Sequence, residues 1–153
     1  MEANELRIGN YICRQSEDDG EVVDTFEPEQ IIGVGPAYYG EGYVAYFAVK
    51  EGQSHAENLR LFNPVKITPE WLIKLGFNIT WSGQGDGTTL AIEGKAFNIH
   101  THDASKGYVF AREYSRDGNT KWNHIGYPST RLIYIHQLQN LYFALTGEEL
   151  VLK

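Results

Sequence analysis

The sequence predicts an α+β fold. A small, β-barrel-like N-terminal unit is followed by an antiparallel sheet covered on one face by a short helix and a C-terminal helix. Three observations predict it. Short strand patterns with Gly- and Asp-rich turns recur every 8–12 residues through the first half. A capped helix start stands at Thr68-Pro69-Glu70, just past Asn63-Pro64. Near the end, Tyr134, Leu138, Leu141, Tyr142 and Leu145 fall at i, i+4, i+7, i+8 and i+11, one face of a helix. The division this implies is 1–63 and 64–153.

Taken in order, Leu6 to Cys13 alternates and reads as a first strand. Ser16-Glu17-Asp18-Asp19-Gly20 reads as a turn. Glu21–Phe26, Gln30–Val34 and Tyr43–Val49 follow as strands, with Gly35 to Gly42 as a loop and Leu59–Phe62 as a short fifth strand. In Ile67 to Phe77, Thr68 is the N-cap and Pro69 sits at N1, where its missing N–H costs nothing. Glu70 lies at the positive end of the dipole, and Gly76 is the stop. Phe77-Ile79-Trp81 and Leu90-Ile92 give a hairpin across Gly83 to Gly87. Lys95–Thr101 is the next strand, with Phe97 and Ile99 inward. Tyr108–Arg116 and Asn119–Tyr127 form a second hairpin around Asp117-Gly118. Arg131 to Ile135 reads as a strand feeding the last helix. His136 stands at the joint, with Gln139 in a weak capping-box position, and Thr146-Gly147 ends the helix. On this reading the helix is a lid over the later sheet, with Leu138, Leu141, Tyr142 and Leu145 in the core and Gln137, Gln139 and Asn140 off the stripe.

With 153 residues the chain has enough length for a real core. It holds no apolar run of about 18 residues, so no membrane helix is expected. Its acidic start lacks the basic and apolar regions of a signal peptide. Cys13 is the one cysteine, which excludes an internal disulfide and a multi-cysteine zinc site. A cytoplasmic protein is the simplest expectation. Residues 1–66 hold 5 Lys/Arg against 12 Asp/Glu, a net −7, while 67–153 hold 8 of each. An acidic half repels a phosphate backbone, so long nucleic acid is not an expected partner.

Three stretches carry a resemblance: Glu5-Leu6-Arg7-Ile8-Gly9-Asn10, Ile67 to Phe77, and His136 to Leu150. In this order they resemble an uncharacterised family of small proteins encoded by gut bacteria, their phages and their mobile elements. Pro69 departs from that pattern, where an acidic residue is expected. The resemblance implies a phage or prophage accessory protein and brings neither an activity nor catalytic residues.

Several residue groups have the types that chemistry uses. His55-Ala56-Glu57 matches half of a zinc deaminase signature, but the Pro-Cys-x-x-Cys half cannot exist with one cysteine. His100 and His102 share a strand face at i and i+2, with His124 as a third candidate, but solvated strand histidines explain them as well. Gly33-Val34-Gly35-Pro36 and Gly94-Lys95-Ala96 fit no phosphate-binding pattern and read as loops. In the second hairpin, a two-residue turn pairs Arg116 with Asn119, Tyr114 with Lys121, Arg112 with Asn123, Phe110 with Ile125 and Tyr108 with Tyr127. Arg112, Tyr114, Arg116 and Lys121 would then hold a phosphate while a ring stacks a base; cross-strand pairing alone also accounts for them. Tyr38, Tyr39 and Tyr43 crowd a Gly/Pro-bounded loop and suit a partner surface, or else close the N-terminal barrel.

The expectation is a non-enzymatic accessory protein without cofactor or metal, binding a host or phage protein. A small nucleotide or short oligonucleotide binder, of the kind that sequesters a defence signal, is the alternative. A metal-dependent hydrolase is a third class. Homo-oligomerisation stays open.

Overall fold

A computed structural model describes residues 3–14, 16–18, 21–23, 28–38, 42–48, 53–82, 88–92, 97–101, 107–116, 119–124 and 131–153. The architecture is α+β, with open antiparallel sheets and a C-terminal helix. The chain divides into two units, one of residues 1–65 and 134–150, the other of 66–133 and 151–153. Each has its own five-stranded sheet, and among the described residues no strand from before residue 66 enters the later one.

The first unit begins with a 3-10 turn, Ala3–Glu5, and contains strands β1 (Tyr11–Arg14), β2 (Ser16–Asp18), β3 (Glu21–Val23), β4 (Glu29–Pro36), β5 (Tyr43–Ala48), β6 (Ser54–Asn58) and β7 (Phe62–Pro64). β2 and β3 form a separate two-stranded hairpin. The main sheet runs β6-β5-β4-β1-β7. Ile12, Ile31, Ala45, Phe47 and Phe62 meet on one face with Leu59, and Ala3, Leu6 and Val34 pack against them. The barrel expected here is not closed. β6 and β7 are its two edges, joined through a 3-10 turn, Leu59–Leu61, whose start is capped by the Asn58 side chain accepting from Arg60 N–H at 3.0 Å. β7 has three residues and ends at Pro64, which lacks a ladder donor.

β6 was not anticipated, because Ser-His-Ala-Glu-Asn carries no apolar alternation; its place comes from full pairing with β5. Gly33 and Gly35 also lie in β4 rather than in a loop. The register slips between Ile31 and Gly33, so Ile32 is an extra residue at a bulge. Past it, the Tyr46 ring covers both glycines: a Cβ at Gly33 would stand 3.4 Å from that ring.

Helix α2 (Ile135–Thr146) belongs to this first unit. The sequence grouped it with the later sheet; the hydrogen bonds of Gln139 and Asn140 described below run instead to residues 5–11 and to Leu150, within the first unit. Its buried face is also turned from the predicted one. Ile135, His136, Leu138, Gln139 and Tyr142 are buried, whereas Leu141 and Leu145 are half-buried. The helix starts where Tyr134 N–H donates to Gln137 Oε1 at 3.2 Å, so Gln137, not Gln139, makes the reciprocal cap. It ends at Gly147, whose φ of 71° is the left-handed conformation expected of a stop glycine.

The second unit opens with helix α1 (Pro69–Lys74). Thr68 Oγ1 accepts from Trp71 N–H at 3.3 Å, as its N-cap role requires. The Thr68 hydroxyl and the backbone amide of Glu70 hold the exposed Glu70 carboxyl below its usual range. Strands β8 (Phe77–Ser82), β9 (Thr88–Ile92), β10 (Phe97–Thr101), β11 (Val109–Arg116) and β12 (Asn119–His124) follow as an antiparallel meander in chain order. Leu72, Leu75, Phe77, Ile99 and Tyr108 are among its buried side chains. Burial, and behind it the Glu70 charge, raises the Tyr108 phenol. The strand expected at Arg131 to Ile135 is reduced to isolated bridges, with Tyr108 and Leu132 exchanging both backbone hydrogen bonds at 2.8 Å. Among the described residues, no helix is long and apolar enough to cross a membrane.

Candidate functional site

The densest polar constellation in the first unit joins its two terminal stretches. Residues 7–10 make a tight turn: Asn10 N–H donates to the Arg7 carbonyl at 3.2 Å, and Asn10 Oδ1 accepts from Arg7 N–H at 2.9 Å. Gly9 adopts φ 94°, open to glycine at little cost. α2 then grips this turn. The fully buried Gln139 accepts from Tyr11 N–H at 3.0 Å and donates to the Gly9 carbonyl at 3.0 Å and the Leu150 carbonyl at 2.9 Å. Asn140 accepts from Asn10 Nδ2 at 3.0 Å and donates to the Glu5 carbonyl at 2.8 Å. Arg7 forms a two-pronged ion pair with Glu149 and lies 3.9 Å over the Phe143 ring. A Cβ at Gly9 would stand 3.0 Å from Glu149 Oε2, so the glycine makes room for that pair. Every polar group here is turned on another part of the chain. The arrangement clamps the two stretches together.

His136, in the first turn of α2, is different. It is 2% exposed, stacks on Tyr134 at 5.8 Å, and among the described residues neither ring nitrogen has a hydrogen-bond partner. Burial pushes its pKa down, partly opposed by the charge of Glu5.

Exposed tyrosines stand at the far end of the β4–β5 hairpin. Ala37 N–H donates to the Gly42 carbonyl at 3.0 Å and closes the connecting loop. Tyr38 in that loop is 89% exposed, and Tyr43, opposite Pro36 at the start of β5, is 52% exposed. Between this hairpin end and the 3-10 turn runs a groove of about 300 Å³ lined by Ala3, Asn4, Val34 and Tyr43. That is the small end of the range for ligand pockets. Tyr39 lies outside the described residues. Sequence reasoning found the tyrosines but not Ala3, Asn4 and Val34, because their meeting depends on the 3-10 turn folding onto the sheet.

A charged quartet lies on the sheet face that carries the core. Glu57 Oε1 pairs with Arg14 Nη2 and stands 3.5 Å from His55 Nε2, which is 3.9 Å from Glu29 Oε2. Phe47 supports the His55 ring at 5.3 Å, and Arg14 lies 5.7 Å over Phe62. The partners come from β1, β4 and β6, so no sequence spacing announced them. Arg14 thus ties β1 to β6 through Glu57. The network reads as electrostatic closure of the sheet's inner face.

In the second unit the structure describes the backbone of Arg112, Tyr114, Arg116 and Lys121. Their register is the anticipated one: Arg112 opposite Asn123, Tyr114 opposite Lys121, and Arg116 opposite Asn119. The Asp117-Gly118 turn, Ile125 and Tyr127 lie outside the described residues, and Tyr108 is bridged to Leu132. His100 sits on β10 opposite Thr89 and Val109, while His102 is outside the described residues. His124 ends β12 opposite Ala111. Among the described residues, no three His, Cys, Asp or Glu side chains stand together as a metal would require.

Compared with known proteins, the chain matches no family model, no curated protein and no solved structure.

Proposed function

We propose that the chain is a non-enzymatic accessory protein of phage or mobile-element origin, acting in the cytoplasm by binding a protein partner through its first unit. One observation carries this reading: largely exposed Tyr38 and half-exposed Tyr43 stand at the end of one hairpin, where Tyr43 lines a groove. Tyrosine gives a large contact area at low cost in side-chain entropy, and interfaces are enriched in it. The resemblance of Glu5 to Asn10, Ile67 to Phe77 and His136 to Leu150 supports the phage or mobile-element origin. The amides of Gln139 and Asn140 and the Arg7–Glu149 pair bind these terminal stretches to each other, which supports a scaffold role for them. A second copy of the chain is one partner the reading admits.

The test is a tagged pull-down from the lysate of a gut bacterium, with wild type and Tyr38→Ser/Tyr43→Thr side by side, and sizing chromatography for self-association. A specific protein lost with the double variant is the expected result. Capture of nothing, or of the same proteins by both, would sink the proposal.

The second reading is a binder of a nucleotide or short oligonucleotide. It is favoured by the register of the β11–β12 hairpin, in which two arginines, a tyrosine and a lysine occupy alternating and opposed positions. A thermal-shift screen with nucleotides tests it directly.

A further inference from the structure

The two units differ sharply in charge. Residues 1–65 and 134–150 hold 4 Lys/Arg against 14 Asp/Glu, a net −10, whereas the other unit holds 9 against 6, a net +3. Within the acidic unit, two of the four cations are committed. Arg7 is engaged by Glu149 and Phe143, and Arg14 by Glu57. The unit therefore presents an almost uncompensated negative field.

We infer that the groove at the hairpin tip receives a Lys/Arg-rich segment of a partner protein. This rests on the protein-binding reading and names the partner's chemistry. Its walls suit such a segment. Ala3 and Val34 offer apolar surface to the methylene stem of a lysine or arginine, and Asn4 offers an amide. Tyr43 on the wall and Tyr38 in the neighbouring loop offer aromatic faces to the cationic head. Glu5, one residue beyond Asn4, is exposed at the same 3-10 turn. Complementary charge raises the rate of encounter and suppresses acidic partners, while the groove and rings fix where the segment sits. The unit's net charge of −10 disfavours an acidic segment.

The test uses the full-length chain and a fluorescent twelve-residue peptide of alternating Lys and Ser, with Glu/Ser and Gly/Ser peptides of the same length as controls. The Lys/Ser peptide should bind alone, and raising salt from 50 to 500 mM should weaken it at least tenfold. Tyr38→Ser/Tyr43→Thr should weaken it a further tenfold or more with an unchanged circular dichroism spectrum. Asn4→Arg, at an exposed position on the groove wall, must weaken it too, which keeps the test decisive if the tyrosine variant folds poorly. Equal binding by wild type and both variants would mean that net charge acts without this groove, and would overturn the inference. So would absence of Lys/Ser binding at 50 mM salt. In that event, a lysate partner that still depends on Tyr38 and Tyr43 would preserve the protein-binding reading while the cationic partner falls; loss of both would remove the two together.

Discussion

Gln139→Met removes the amide at the centre of the helix clamp while keeping a long unbranched side chain. Wild-type Gln139 is fully buried and bonds to the Tyr11 N–H, the Gly9 carbonyl and the Leu150 carbonyl. The Gly9 carbonyl keeps a second donor, Gln30 Nε2 at 3.2 Å. The other two lose the bond that Gln139 makes, and a buried group deprived of its partner costs about 1–3 kcal/mol. The gross loss is therefore about 2–6 kcal/mol, and the easier transfer of Met from water returns about 1 of it. Against a typical domain stability of about 5–15 kcal/mol, that is a large fraction. The assay is urea unfolding followed by circular dichroism, reading the midpoint at constant slope. Leu141→Ala is the internal contrast. Fully buried Leu→Ala changes cost about 2–5 kcal/mol, and half-buried Leu141 should fall near or below the bottom of that range. If Leu141→Ala proves more costly than Gln139→Met, the helix is held by its apolar stripe and the clamp argument is wrong.

Three further outcomes are expected. Gly9→Ala forces a side chain into φ 94° and against the Glu149 carboxylate, so it should lose about 1–2 kcal/mol in the same urea assay; a neutral effect would show that the turn is free to rearrange. His136 has its folded pKa lowered by burial, so the unfolded chain takes up the proton first. Its contribution to unfolding is absent well above the unfolded value of about 6.5 and grows as pH falls from there toward the lower folded value. Melting curves between pH 7.5 and 5.5 should therefore drop less for His136→Phe than for wild type, and parallel drops would count against the assignment. Arg112→Ala with Arg116→Ala should abolish any nucleotide-induced thermal shift while barely moving the ligand-free melting temperature; an early-melting double variant would make those arginines structural.

The sequence was most legible where local chemistry decides structure. Thr68 and Gly147 cap helices as their residue types require, and the Arg112–Asn123 to Arg116–Asn119 register follows from a two-residue turn. It was least legible where pairing is decided at a distance. β6 is polar along its length and becomes a strand because β5 offers it a ladder. The quartet of Arg14, Glu29, His55 and Glu57 draws on three strands, and only its His55/Glu57 fragment could be seen in the chain, where it suggested unrelated chemistry. The tyrosine surface was half visible: composition flagged the rings, but the groove beside Tyr43 needed the 3-10 turn.

Periodicity also misjudged α2, for a reason that bears on what the terminal stretches mean. A stripe count treats glutamine as outward-facing, and on that basis the helix was turned toward Leu141 and Leu145. A glutamine faces inward, however, when the opposing surface is backbone with unpaired groups, because an apolar side chain there would leave those groups unsatisfied. The turn at Arg7 to Asn10 is such a surface. Gln139 supplies an amide to the Gly9 carbonyl and the Tyr11 N–H, and Asn140, the next residue, bonds the Asn10 side chain and the Glu5 carbonyl. The two terminal stretches that carry the resemblance are thus halves of one contact, about 130 residues apart in the chain. A motif of this kind specifies how a fold is closed. On the protein-binding proposal, specificity of partner comes from elsewhere, and the hairpin tip with Tyr38 and Tyr43 lies outside the hydrogen bonds of this clamp.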